Sequence, residues 1–108
     1  VDKKKPGYHK LKTDQSVFQA VWDREKTYEI RWFKDRDFNV GDRIELLETL
    51  YTGEQMKAGK PLEFTGRWII VTITHVLKEM YGLKDWWCIL SFRLVLTGTG
   101  NPETMSTE

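Results

Sequence analysis

Lys26-Thr27-Tyr28-Glu29-Ile30-Arg31-Trp32, with Val40-Gly41-Asp42 eight residues further on, is the stretch that decides the fold. From Thr27 the side chains alternate with period two. Tyr28, Ile30 and Trp32 point one way and Thr27, Glu29 and Arg31 the other, the pattern of a β-strand. The charged linker 33–39 leads to Gly41, which supplies turn freedom before a second strand over residues 43–50, with Ile44 and Leu46 directed into a core.

Upstream, Val17, Phe18, Val21 and Trp22 recur at helical spacing, so a helix capped by Thr13 or Asp14 is predicted to run to Asp23 and to cover one end of a sheet. A short strand over residues 8–12 precedes it. Before that, Lys3, Lys4 and Lys5 lead into Pro6-Gly7, and residues 1–7 read as a basic arm. Downstream, residues 51–66 hold three Gly and a Pro and no sustained period, the pattern of a long, mobile loop or hairpin. Residues 67–76 and 86–96 are β-branched or apolar and predict two long strands, with one helical turn between them over 77–84 ending at Gly82. A polar tail occupies 98–108, leaving residues 8–97 as the domain. Five to six strands with one early helix predict an α+β, mostly β domain: a small, largely antiparallel barrel, whose closure removes exposed edges. Periodicity alone does not separate this barrel from an OB-like or SH3-like one.

At 108 residues the chain is sized for one core. Its 40% apolar and 31% charged residues exclude wholesale disorder. A net charge of +1 provides no uniform field for nucleic acid, so local distribution must decide. Cys88 is the one cysteine, which excludes an internal disulfide, supplies no metal cluster and fits a reducing compartment. No apolar run approaches the roughly twenty residues of a membrane span. Cytoplasmic location is the expectation, in the host cell if the chain is phage-encoded, with no membrane partner.

Lys26, Glu29 and Arg31 in K-x-x-E-x-R spacing, followed by Val40-Gly41-Asp42, resemble the ASCH domain family, whose hallmark is G-x-K-x-x-E-x-R and then a V-G-D turn. His9-Lys10-Leu11-Lys12 and Phe18 resemble its small phage and bacterial branch, whose function is largely unassigned. The resemblance covers residues 8–50 and implies a PUA-like barrel, a fold used repeatedly to bind RNA, with the K-x-x-E-x-R residues at the mouth of a cleft beside the helix. Some relatives hydrolyse the acyl amide of acetylated cytidine with Lys, Thr and Glu, and others are described as ribonucleases. The Thr of the amidohydrolase pattern is Glu29 here, so that mechanism does not carry over. Arg24 stands where the pattern has its Gly, and the connection at Trp32-Phe33-Lys34 is one residue longer.

Read as chemistry, Arg31 offers a planar fork for phosphate or a base edge, Lys26 a mobile charge, and Glu29 an acceptor or a tether for both cations. The plain alternative is a surface ion pair of little consequence. Trp32 and Phe33 are candidates for base stacking, and one of Trp86/Trp87 could also be exposed, although most aromatics of a small barrel fill its core. Arg36, Lys34, Arg24 and the N-terminal lysines, Lys10 and Lys12 among them, could track a phosphate backbone or form a solvated basic face. His9 could reach the cleft as an acid or base with Glu29 as partner. No catalytic residue, metal ligand or cofactor is assigned. The leading expectation is a module binding RNA or a nucleotide in a cleft lined by Lys26, Glu29 and Arg31. A hydrolase acting on RNA or a modified nucleobase, and an accessory protein docking on a host protein, are the alternatives.

Overall fold

A computed structural model describes residues 6–80 and 82–100, so most of the basic arm and of the polar tail lies outside the described residues. Along the chain run β1 (Tyr8–Thr13), α1 (Gln15–Trp22), β2 (Tyr28–Trp32), β3 (Arg43–Thr49), α2 (Gly53–Lys57), β4 (Phe64–Lys78) and β5 (Trp87–Thr99). The strands form one sheet in the order β1-β3-β4-β5-β2, with β1 parallel to β3 and every other pair antiparallel. The chain is thus α+β and mostly β, a five-stranded sheet curled into a half-barrel with an early helix. Register shifts at Leu47/Thr49 between β3 and β4, and at Ile70/Val71 and Ile73/His75 between β4 and β5, supply the curl, because an extra residue on one strand bends it and increases its twist.

The concave side holds the core. Leu11, Ile44, Leu46, Ile69, Val71, Ile73, Leu90 and Phe92 come from the sheet, and Phe18 and Val21 of α1 close over them together with Phe38. The helix forms where its apolar stripe can be buried in this way. Asp14 occupies its N-cap position without a side-chain cap bond and instead accepts from the Gly53 backbone N–H at 3.3 Å, tying the start of α1 to the start of α2.

Two segments depart from the sequence expectation. Residues 51–66 are not a featureless loop: Thr52 and Gln55 form a reciprocal capping box that starts α2. Among the described residues of 77–84 the expected helical turn is also absent, since Leu77 and Lys78 continue β4 and pair with Ile89 and Cys88. Cross-strand pairing there outweighs the local turn signal, and the chain reverses later through Glu79 and Gly82, both at positive φ.

The Val40-Gly41-Asp42 turn is held by one buried carboxylate. Asp42 accepts from the Gly7 N–H at 2.7 Å and the Asn39 N–H at 3.0 Å, and its Oδ2 lies 2.8 Å from His9 Nε2. Gly7 is required by space, because a Cβ there would stand 2.9 Å from Asp42 Oδ2. Gly41 is required by its φ of 95°. Burial alone would raise the pKa of Asp42, but the bonds from His9, Gly7 and Asn39 hold it below the ordinary carboxylate value. A depressed folded-state pKa contributes stability that is complete above the unfolded value and is lost as pH falls through the folded one. In urea unfolding, stability should therefore hold down to about pH 5 and fall below about pH 4. Asp42→Asn should cost about 2 kcal/mol at pH 7 and shallow that acid fall, whereas an unchanged acid limb would contradict the role given to Asp42.

Candidate functional site

The alternation of β2 is inverted relative to an ordinary sheet. Glu29 is 3% exposed on the concave side, opposite Leu90 of β5, while Ile30 is 51% exposed on the outer side. A buried carboxylate is stable only when charge and hydrogen bonds meet it. Lys26 Nζ donates to Glu29 Oε1 at 2.7 Å, and Arg31 donates to Oε2 from Nε at 3.3 Å and from a terminal nitrogen at 3.1 Å. Both oxygens are occupied by cations, so Glu29 is a tether that aims Lys26 and Arg31.

The end of α1 delivers Lys26 to this position. Glu25 and Lys26 both donate their backbone N–H to Ala20 O, at 2.9 and 3.1 Å, and Arg24 adopts φ 64° as the chain turns out of the helix. Arg24 stands where the resemblance pattern carries Gly, and its left-handed backbone is the conformation a Gly takes without cost. Lys26 also donates to the Tyr28 carbonyl. Beyond Glu29, Arg31 donates to the Lys12 carbonyl at 3.0 Å, and Arg36 to the Lys10 carbonyl at 3.4 Å. These two arginines stitch the β2 side of the half-barrel to β1 across the open seam between the sheet's edge strands.

A groove of about 400 Å³ follows that seam. Lys10, Leu11 and Lys12 line it from β1, Ile30, Arg31 and Trp32 from β2 and Trp87 from β5, with Asp35, Arg36 and Phe38 from the segment after β2. Trp32 and Trp87 are cross-strand partners, 45% and 38% exposed. Cationic Lys10, Lys12, Arg31 and Arg36 and aromatic Trp32 and Trp87 thus line one gap open to solvent, while Asp35 subtracts one charge.

Lys12, Arg31, Trp32 and Arg36, singled out from sequence, all meet at this groove; Lys26 and Glu29 stand behind it, connected through Arg31. The other candidates are elsewhere. His9 is engaged by Asp42 and meets the Phe38 ring in a tilted contact at 4.7 Å, and Glu29 has Lys26 and Arg31 as its partners. Phe33 packs against the core and on Trp86 at 5.4 Å, with Lys78 over its ring, and Lys34 lies over Trp86. Ile30 was not singled out, Lys10 entered only among the N-terminal lysines, and Trp87 only as one of the pair Trp86/Trp87. The pairing of β2 and β5 in register is what places Trp87 beside Trp32. Cys88 is buried, and burial pushes its thiol pKa up, away from nucleophilic chemistry.

A second cleft of about 590 Å³ lies between α1, α2 and the ends of β3 and β4. Glu48 in its wall accepts from Arg67 at 2.8 and 2.7 Å, and the Arg67 guanidinium lies over Phe18 and Trp22 and donates to Gln19 at 2.8 Å. Arg67 holds the Glu48 carboxyl below its ordinary pKa despite burial. Among the described residues no three His, Cys, Asp or Glu side chains are grouped to hold a metal ion, and no helix is long and apolar enough to cross a membrane.

Residues 8–92 match the model of a family described as a domain of unknown function, DUF3850. The chain belongs to the DUF3850 family. The match runs from the first residue of β1 into β5, so it includes both edge strands, the Lys26–Glu29–Arg31 cluster and every residue lining the seam groove. No curated protein matches this DUF3850 chain.

Glu29→Ala should destabilise the fold by about 2 kcal/mol in urea unfolding, since it leaves two partly buried cations unpaired and Arg31 unaligned. A loss below a few tenths of a kcal/mol would reduce the cluster to an ordinary surface pair. Arg24→Gly should stabilise by about 1 kcal/mol by relieving the left-handed backbone, and a loss of stability would contradict that.

Proposed function

We propose that the chain is an RNA- or nucleotide-binding module of the ASCH/PUA-like kind, whose ligand lies in the seam groove. One observation carries this reading: cationic Lys12, Arg31 and Arg36 and aromatic Trp32 and Trp87 line a single open groove. Phosphate requires charge and hydrogen-bond donors, a base requires a flat apolar face, and a nucleotide presents both at once. Arg31 is the preorganised element, because Glu29 fixes its guanidinium before any ligand arrives. The resemblance of the K-x-x-E-x-R segment to ASCH domains points to the same class of ligand, and a buried free thiol fits the reducing cytoplasm.

Binding without turnover is favoured over hydrolysis, since Glu29 spends both oxygens on cations and Cys88 is withdrawn into the core. Docking on a host protein would be favoured by an apolar patch remote from the groove. The exposed rings of Trp32 and Trp87 line the groove itself, while Leu50, Leu62, Phe64 and Leu96 are exposed away from it.

Fluorescence anisotropy with short single-stranded RNA across a salt series tests this proposal. Lys12→Ala and Arg36→Ala should each reduce the slope of log affinity against log salt by about 1, and Trp32→Ala should weaken binding by about 1–3 kcal/mol with the slope unchanged. No binding, or binding indifferent to all three substitutions, would sink the groove as the site.

A further inference from the structure

We infer that the RNA is a single strand of at least three nucleotides, laid along the outer face of β2 from the Trp32/Trp87 pair past Ile30 to Tyr28. This rests on the groove reading above and assigns a longer footprint than the groove alone would take. The outward side chains of β2 are Tyr28, Ile30 and Trp32, each more than 40% exposed, and Trp87 extends the same face onto β5. An outer sheet face in contact only with water would carry polar residues at these positions, and a continuous apolar row marks a surface that is covered in use.

Spacing and charge define the occupant. Same-face residues on a strand stand about 6.6 Å apart, roughly twice the 3.4 Å advance per nucleotide of one strand in a duplex. A nucleic acid following β2 therefore has its bases unstacked, one over each outward side chain, which a splayed single strand can do and a duplex cannot. Cations flank both ends of the row. Lys12 and Arg36 stand at the groove, and at the other end Lys26 Nζ lies 4.5 Å from the Tyr28 ring centroid while 2.7 Å from Glu29 Oε1, within a Lys26–Glu29–Arg31 cluster of two cations and one carboxylate that keeps a net positive charge. An apolar protein segment would have no use for cations at both ends, whereas a phosphodiester backbone is neutralised by them.

The experiment is a length series: uridine monophosphate and oligouridylates of two, three, four and six nucleotides, competed against a labelled hexanucleotide. The protein is wild type, Tyr28→Ala or Tyr28→Phe, with oligothymidylates and duplex RNA as parallel arms. Affinity should rise at least about ten-fold between one and three nucleotides and change little beyond four. Tyr28→Ala should abolish most of that gain while leaving the monophosphate within about two-fold, and Tyr28→Phe should keep it, since stacking needs the ring and not the hydroxyl. Monophosphate binding with no length dependence, or a gain indifferent to Tyr28→Ala, would overturn the extended footprint and leave the groove standing. Tighter binding of oligothymidylate or of duplex would overturn the assignment to single-stranded RNA. No binding at any length would overturn the groove reading itself.

Discussion

The buried Glu29 carboxylate is the constraint on which the rest of the structure depends. Its charge cannot be left bare inside a small core, so Lys26 and Arg31 are drawn to it, and Arg31 then reaches the Lys12 carbonyl on the opposite edge strand. One residue thereby couples the exit of α1, the face presented by β2 and the closure of the half-barrel. A slip of one residue in β2 would bury Ile30 and strand Glu29 in water, exchanging an apolar gain for the loss of the seam. The ion cluster thus specifies register, and the outward aromatic row is its direct consequence.

Three further buried carboxylates, Asp42, Glu48 and Glu45, act at other points of the curl. Asp42 gathers Gly7, His9 and Asn39, fixing where the chain enters β1 and β3. Glu48 holds Arg67 against α1, fixing the start of β4 beneath the helix. Asp42 and Glu48 have pKa values held below the ordinary carboxylate range by their donors. At the outer face, Tyr8 donates to Glu45 at 2.7 Å across the parallel β1–β3 pair, and burial together with that carboxylate raises its pKa to about 12. Polar ties at the margins and apolar packing between them hold the curl of the half-barrel.

Much of this was legible in the sequence because it is local. The period-two run from Thr27, the apolar stripe of Phe18 and Val21 and the glycine turn at Gly41 each report on a few consecutive residues, and each element formed where expected. The capping box at Thr52 and Gln55 was equally local, but the surrounding Gly and Pro obscured it. Pairing was not local. Leu77 and Lys78 are strand because Ile89 and Cys88 lie beside them, and Trp87 joins the groove because it faces Trp32. For the site, the K-x-x-E-x-R spacing identified the cluster and not its orientation: alternation alone does not say that the charged face is the buried one. His9 carried no sign that Asp42, thirty-three residues away, would engage it.

The groove thus has a mechanical origin as well as a chemical character: it is the unclosed seam of a curled sheet, bridged by two arginines and lined in part by residues that the register of β2 turned outward. The most direct measurement is an NMR titration of the uniformly labelled chain with short single-stranded RNA, following the five tryptophan indole N–H signals and the backbone amides. The indoles of Trp32 and Trp87 and the amides of β1 and β2 are expected to shift together, while the indole of buried Trp68 stays in place. Shifts confined to the cleft between α1 and α2, or none at saturating RNA, would contradict the account.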